Sequence, residues 1–336
     1  MIQDLIKNKE TINLILKHLV FKLKQVDFAH DSLKKRSHKL QEEIQIYLEE
    51  KKSFSPFIDS FYKGDYEKLS GYNLPHNFGL MFFGHKEKES YIGQFNNGLF
   101  EGLGIRRFND KEKYLEKQLL PIIYNGEWLA NEYHGFGQLT CEFKEESIKR
   151  IEDTFGNFYF GKLYGFGKKY YHKKRHKRKN GTALFGYFKF DRVINFFLLI
   201  DFVNELVVPS KSGLYFLNKD GENILLYQFQ SKTEITELMD SVSIKDEKLP
   251  SVIANYYKDY FDNEFKSDKF KELYIKIAMG IKIFQIELVS SKIKKNLKKF
   301  VKTSKELETQ LWQSTKINEL EKINQNLKNY FNEKNN

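Results

Sequence analysis

The densest group of chemically active side chains is a basic run between residues 168 and 179. Eight of these twelve residues are Lys or Arg, and the run also holds two histidines. Like charges at this density repel each other, so an exposed loop or an extended hairpin is expected. The run could bind an acidic protein surface or anionic phospholipid, less favourably nucleic acid, or be a solvated loop without a ligand. The eight cations are Lys168, Lys169, Lys173, Lys174, Arg175, Lys177, Arg178 and Lys179.

The remaining candidates for chemistry are few. His172 and His176 have the i, i+4 spacing of a metal-ligand pair on a helix, but the surrounding cations oppose a divalent ion, so no metal is predicted. The phosphate-loop, dinucleotide-binding, zinc-protease, hydrolase and kinase motifs do not occur. The single cysteine, Cys141, is expected to be an ordinary strand residue. The sequence therefore predicts a non-catalytic protein without a cofactor.

Aromatic residues and glycines recur at fixed spacing between residues 91 and 137. In two copies the first glycine lies two residues after a tyrosine, and a pair of glycines lies eleven and thirteen residues after it. Partial copies with altered spacing flank these two, and a fifth opening is expected at 184–188. The predicted motif residues are Tyr62 and Gly64; Tyr91, Gly93, Phe95, Gly98, Gly102 and Gly104; Tyr124, Gly126, Trp128, Gly135 and Gly137; and Tyr159, Gly161, Gly165 and Gly167.

Each copy has the pattern of a β-hairpin. Side chains alternate across a strand, so Tyr-x-Gly-x-aromatic is interpreted as a short strand with one aromatic face and one glycine face. Gly-x-Gly then lies across a polar turn and leads into a second strand. Because an isolated hairpin is marginally stable, each copy should stack on the next and bury its aromatic residues against its neighbour's glycines.

The two full copies resemble the MORN repeat (membrane occupation and recognition nexus), with the consensus Tyr-x-Gly-x-Trp-x-x-Gly-x-x-x-Gly-x-Gly. The second copy has Asn131 at the middle glycine position. The resemblance covers roughly residues 60–190 and implies a stack of hairpins with a curved, aromatic-rich surface. Plain proteins of this family are similar to components of ciliary axonemes, including radial-spoke heads, and of basal bodies or cortical cytoskeletons.

A heptad pattern precedes the repeats. Apolar residues recur every seven positions through residues 1–52, which predicts one coiled-coil helix of roughly 75 Å. The partner of this seam could be a second copy, another protein's helix, the chain's own C-terminal helix, or its own repeat sheet. The predicted seam residues are Leu5, Ile12, Leu19, Val26, Leu33 and Leu40.

The predicted fold is α+β, with a central single-layer stack of hairpins flanked by helices. We divide the chain into the coiled-coil helix at 1–52, the repeat stack at 57–200, capping strands at 201–230 and a helical region at 231–336. Asp220-Gly221 between apolar runs predicts a hairpin in the capping segment. Helices are predicted at 233–242, 252–265, 268–289 and from 292 to the end, the last rich in Lys, Asn and Glu.

Charge and hydropathy constrain the function further. A net charge of +11 favours an acidic partner. The longest apolar run, 193–208, contains Asp201 and Glu205 and is too short to span a bilayer, and the N-terminus has no secretory pattern. We expect a cytoplasmic scaffold or adaptor that binds other subunits of a cytoskeletal assembly, in a cilium or at a basal body. The alternative is a peripheral membrane module that binds anionic phospholipid through the basic run.

Overall fold

The structure is a computed structural model. It describes residues 9–50, 55–57, 60–69, 71–83, 89–108, 119–145, 148–173, 180–203, 206–218, 220–242, 272 and 274–283. These residues form a long N-terminal helix, one sheet of fourteen strands and shorter helical segments. The predicted α+β class is confirmed.

The described elements follow one another in chain order. The helices are α1 (Lys9–Glu49) and α2 (Lys232–Ser241), with a 3-10 turn at Pro209–Lys211 and helical residues 274–283. The strands are β1 (Ser55–Phe57), β2 (Ser60–Leu69), β3 (Tyr72–Phe83), β4 (Glu89–Asn96), β5 (Leu99–Arg107), β6 (Leu120–Leu129), β7 (Glu132–Glu145), β8 (Ile148–Tyr159), β9 (Lys162–Lys173), β10 (Gly181–Lys189), β11 (Arg192–Val203), β12 (Leu206–Val207), β13 (Gly213–Leu217) and β14 (Asn223–Gln228).

The sheet is a consecutive stack of antiparallel hairpins. Strands β1 to β11 pair in chain order, β13 and β14 continue the path, and β12 pairs with the end of β11. In four hairpins, at 97–98, 130–131, 160–161 and 190–191, both central turn residues have positive φ. This geometry, typical of type I′ turns, matches the natural twist of the flanking strands.

Each of these turns is hydrogen bonded to the preceding hairpin. The backbone N–H of the second turn residue donates to a carbonyl oxygen in the second strand of the previous hairpin. The acceptor lies at the start of that strand in three turns, and further along it for Gly98. The four bonds are Gly98 to Pro75 at 2.7 Å, Asn131 to Phe100 at 3.1 Å, Gly161 to Tyr133 at 2.8 Å and Asp191 to Leu163 at 3.0 Å. The turn geometry explains why this position needs a residue that tolerates positive φ, and the repeated bond ties each turn to its neighbour.

A row of glycines crosses nine neighbouring strands at one level. Tyrosine rings lie against this row, so that a methyl group added at Gly104 would overlap the ring of Tyr91, and one at Gly137 would overlap that of Tyr124. Both tyrosines are fully buried. The prediction of separate aromatic and glycine faces is wrong, because Tyr91, Gly93 and Phe95 are two residues apart along β4 and share one buried face. The row, from β2 to β10, is Gly64, Gly79, Gly93, Gly104, Gly126, Gly137, Gly156, Gly167 and Gly186.

The fourth repeat begins five residues earlier than predicted. Gly156, not Gly161, pairs with Gly137 and Gly167, so Thr154 occupies the position of the tyrosine. The predicted start at Tyr159 is wrong, because this residue ends β8 beside the turn. Counted from Thr154, the positions of Gly161, Gly165 and Gly167 match those of Gly98, Gly102 and Gly104 in the copy that starts at Tyr91.

The segments after the repeats extend the sheet beyond β11 and cover residues at three of the tight turns. β13 and β14 form the hairpin predicted around Asp220-Gly221, and α2 lies within the predicted 233–242 helix apart from its first residue. Helical residues 274–283 pack Tyr274 and Ile277 against Leu99, Ala130 and Phe160. The helices predicted at 252–265 and from 292 onward lie outside the described residues.

We predict that Gly104→Ala lowers the free energy of unfolding by about 1–3 kcal/mol, because the new methyl group displaces the Tyr91 ring from its packed position. In a Tyr91→Leu background the same change should cost clearly less. Urea unfolding of the four proteins of this double-mutant cycle measures the coupling. Strictly additive costs would contradict the proposed contact.

Candidate functional site

One face of the sheet is covered by α1, and the candidate functional site lies on this face. α1 contacts every strand from β3 to β11. Its side chains reach from Tyr187 on β10, contacted by His18, to Asp65 on β2, contacted by Tyr47. The helix rises about 44 Å between these two residues, and eight strand spacings amount to about 38 Å. The helix axis therefore runs along the direction in which the hairpins stack.

The predicted seam packs against this sheet. Leu19 and Leu33 are fully buried, with 0% and 1% of their surface exposed. The chain's own sheet, one of the partners that the sequence left open, is thus the partner of the seam in this structure, and a coiled coil is not confirmed. Leu5 lies outside the described residues. The other buried seam residues are Ile12, Val26 and Leu40.

His30 and Ser37 in the seam, and His18 beside it, each meet a polar partner on the sheet. His30 Nε2 lies 3.0 Å from Gln138 Oε1, and Ser37 Oγ donates to Asn125 Oδ1 at 2.6 Å. His18 Nε2 lies 3.0 Å from the Tyr187 hydroxyl. Because a buried polar group without a partner is costly, these pairs fix the position of α1 along the sheet.

Ion pairs flank the seam on both sides. Arg36 Nη2 is 3.2 Å from Glu127 Oε1, and Lys168 Nζ is 2.7 Å from Asp27 Oδ1. Asn125 and Glu127 occupy variable positions of the repeat motif, on either side of Gly126. The repeats therefore supply specific partners to the helix through residues that the motif itself does not specify.

Burial lowers the pKa of both His18 and His30. Desolvation, with a smaller effect of Lys22, lowers the pKa of His18 to about 4. The pKa of His30 is also lowered, first by burial and then by the charges of Lys34 and Lys168. Its hydrogen bond to Gln138 Oε1 and the charge of Asp31 act in the opposite direction. Protonation would place a charge in an apolar interface close to existing cations.

The motif aromatics are not free to bind a partner. Phe95 and Trp128 are each 3% exposed, and the Trp128 indole N–H donates to the Gly104 carbonyl oxygen at 3.1 Å. These residues form the core on the face opposite α1, which confirms the prediction that the stacked copies bury their motif aromatics. The first tyrosine of three motif copies donates the same hydrogen bond, from its hydroxyl group to the backbone carbonyl oxygen of the third residue after it. The bonds are Tyr62 to Asp65 at 2.8 Å, Tyr91 to Gln94 at 2.8 Å and Tyr124 to Glu127 at 2.9 Å.

A half-open cleft beside α1 does expose aromatic surface. Its volume is about 520 Å³, and it lies between α1 and strands β8 to β11. Tyr170 and Phe202 are half-buried in its floor, with their ring centroids 6.0 Å apart. Asp27, Asp31 and Lys34 line its edge. An aromatic floor with charged groups at the edge suits a protein side chain as a ligand.

The basic run is divided between structural and exposed positions. Lys168 binds Asp27 on the α1 side, and Lys169 is buried on the other face, 3.1 Å from Glu152. Lys173 is exposed at the end of β9. Lys174, Arg175, Lys177, Arg178 and Lys179 lie outside the described residues.

The side chain of His172 pairs with a buried carboxylate. Its Nε2 lies 3.3 Å from Asp153 Oδ2, and Thr140 Oγ1 donates to the other oxygen of Asp153 at 2.6 Å. His176 lies outside the described residues. In the part of the chain that the structure describes, no group of three or more His, Cys, Asp or Glu residues could hold a metal ion.

These features define a class of protein built from stacked antiparallel hairpins. The MORN repeat family model matches residues 91–113 and 124–142. These two segments are MORN repeats, as the sequence predicted. No curated protein matches the chain. Among the described residues, no helix combines the length and apolar character needed to cross a membrane.

We predict that acid weakens the fold through His18. Its pKa in the folded protein lies below the ordinary value of 6.5, so the unfolded chain takes up the proton first and stability falls as pH drops from about 6.5 toward 4. Between about pH 7 and pH 5 this contributes a loss of roughly 2 kcal/mol in unfolding free energy.

The measurement is urea unfolding at both pH values for His18→Gln and His38→Gln. Glutamine at position 18 can still bond Tyr187 but cannot take up the proton, so this variant should lose part of the pH dependence. His38, exposed on the outer side of α1, is the matched control. Equal pH dependence in the two variants would contradict the prediction.

Proposed function

We propose that this protein is a non-catalytic scaffold that joins other subunits of a cytoskeletal assembly. The observation that supports this most is the continuous sheet of stacked hairpins with α1 fixed along it. Thirteen strands in one path extend about 60 Å. Such a platform holds surfaces at set distances, which a scaffold requires. A ciliary axoneme, as in radial spokes, or a basal body is the proposed place.

Partner binding would use the surfaces that remain accessible around α1. The cleft with Tyr170 and Phe202 in its floor accepts an anchoring side chain, and the net charge of +11 steers acidic partners toward the molecule. In this proposal the repeats provide a rigid frame, and the contacts to partners lie beside the helix.

We predict that a tagged full-length protein stays in the detergent-resistant pellet of its own cells, with axonemes or basal bodies. A Tyr170→Ala, Phe202→Ala variant should move to the supernatant while its thermal unfolding remains cooperative. An Ile224→Ala, Leu225→Ala variant, altered at exposed aliphatic positions on β14 far from the cleft, is the control. Release of the unaltered protein with the lipids would overturn the scaffold proposal.

A second candidate function is a peripheral membrane module that binds anionic phospholipid. It is favoured by cations at one end of the sheet, where exposed Lys173 ends β9 and exposed Lys149 is the second residue of β8. Membrane attachment through these charges would link a bilayer to the cytoskeleton.

We predict for this second function that full-length protein sediments with vesicles of equimolar phosphatidylserine and phosphatidylcholine at low salt. Lys149→Glu, Lys173→Glu should reduce this binding, because both positions reverse a charge near the lipid phosphates. Lys39→Glu, at an exposed position on α1, is the control. Equal binding to pure phosphatidylcholine would contradict an electrostatic attachment.

A further inference from the structure

The strands of the stack end along two opposite edges of the sheet, and these two ends differ in their exposed residues. One end carries the tight turns at 97–98, 130–131, 160–161 and 190–191. The opposite end, here named the loop end, is where β5, β7, β9 and β11 finish and β6, β8, β10 and β12 begin. Four aliphatic residues at the loop end are exposed: Leu119 by 43%, Ile148 by 42%, Val203 by 51% and Leu206 by 55%.

These four side chains form a row rather than a pocket. Leu119 precedes β6, Ile148 begins β8, and Val203 and Leu206 lie at the junction of β11 and β12. With about 4.8 Å between strands, the row extends roughly 24 Å from β6 to β11. Separate projecting side chains along a line match a flat surface better than a single groove or helix of a partner.

Cations lie among these aliphatic residues. Arg107 at the end of β5 and Lys173 at the end of β9 are exposed. Lys149 lies next to Ile148 and keeps half of its side chain exposed while it pairs with buried Glu142 at 3.3 Å. Aliphatic tips with interspersed cations are suited to the boundary between headgroups and acyl chains of an anionic bilayer.

We propose that the loop end is a membrane-contact face, in which the four aliphatic side chains insert between lipid headgroups while Arg107, Lys149 and Lys173 contact lipid phosphates. This inference rests on the second candidate function and adds apolar insertion to it. The insertion supplies binding energy that salt does not screen, whereas the cations supply attraction that salt weakens.

The experiment measures partition of the full-length protein onto vesicles of equimolar phosphatidylserine and phosphatidylcholine at low and high salt. The test variant is Ile148→Ser, Leu206→Ser, and the matched control is Ile224→Ser, Leu225→Ser, which removes equally exposed aliphatic side chains from β14. We expect about tenfold weaker partition for the test variant, the loss of its residual binding at high salt, and no change in the control.

Circular dichroism and thermal unfolding of both variants serve as the control that they fold. If test and control variants bind alike and high salt removes all binding, the insertion inference is wrong while electrostatic membrane attachment stands. If the unaltered protein does not bind the vesicles at low salt, both the inference and the second candidate function are wrong.

Discussion

The structure depends on the absence of side chains along one row of the sheet. Nine strands place glycine at the same level, and the space above the row is filled by rings such as that of Tyr91, which lies across Gly104. Flat packing of a ring on backbone buries a large apolar area without a second sheet. Each hairpin therefore buries its aromatic residues against itself and its neighbour, and the stack forms one continuous core on this face.

The opposite face depends on a match of two periods. Seven helical residues advance about 10.5 Å, and one hairpin advances about 9.6 Å, since it contains two strands. A helix with a heptad seam can therefore meet each hairpin with an equivalent position. Over the length of α1 the match holds, since His18 meets β10 and Tyr47 meets β2, 29 residues and four hairpins apart. Locally it does not, since His30 and Ser37 are seven residues apart but meet the two neighbouring strands of one hairpin.

The sequence predicted those features that repeat and left open those that do not. Periodicity identified the hairpins, the glycine pairs and the long helix, and Asp220-Gly221 identified the capping hairpin. A heptad seam has the same pattern whether it faces another helix or a hairpin stack, so the partner of α1 could not be read from spacing alone. Pairs such as His18 with Tyr187 are 169 residues apart and follow no period.

The error in the fourth repeat has a definite cause. Tyr159 and Gly161 imitate the opening of the motif, while the true opening has Thr154 in place of tyrosine. The glycines at 156, 161, 165 and 167 nevertheless keep the full spacing of the first complete copy, so glycine spacing was the more reliable signal. Alternation along a strand also explains why adjacent Lys168 and Lys169 point to opposite faces, which a reading of the basic run by charge alone missed.

The orientation of α1 has a consequence for the mechanics of the molecule. Tension along the stacking direction pulls neighbouring strands directly apart. A sheet is weak in this direction, because its strand pairs carry the load in series and can open one pair at a time. The helix axis follows this same direction and contacts nine successive strands. Tension transmitted between the two ends of the stack is shared with the α1 backbone, so the helix acts as a longitudinal tie, and separation of any one hairpin requires sliding of the helix across several others.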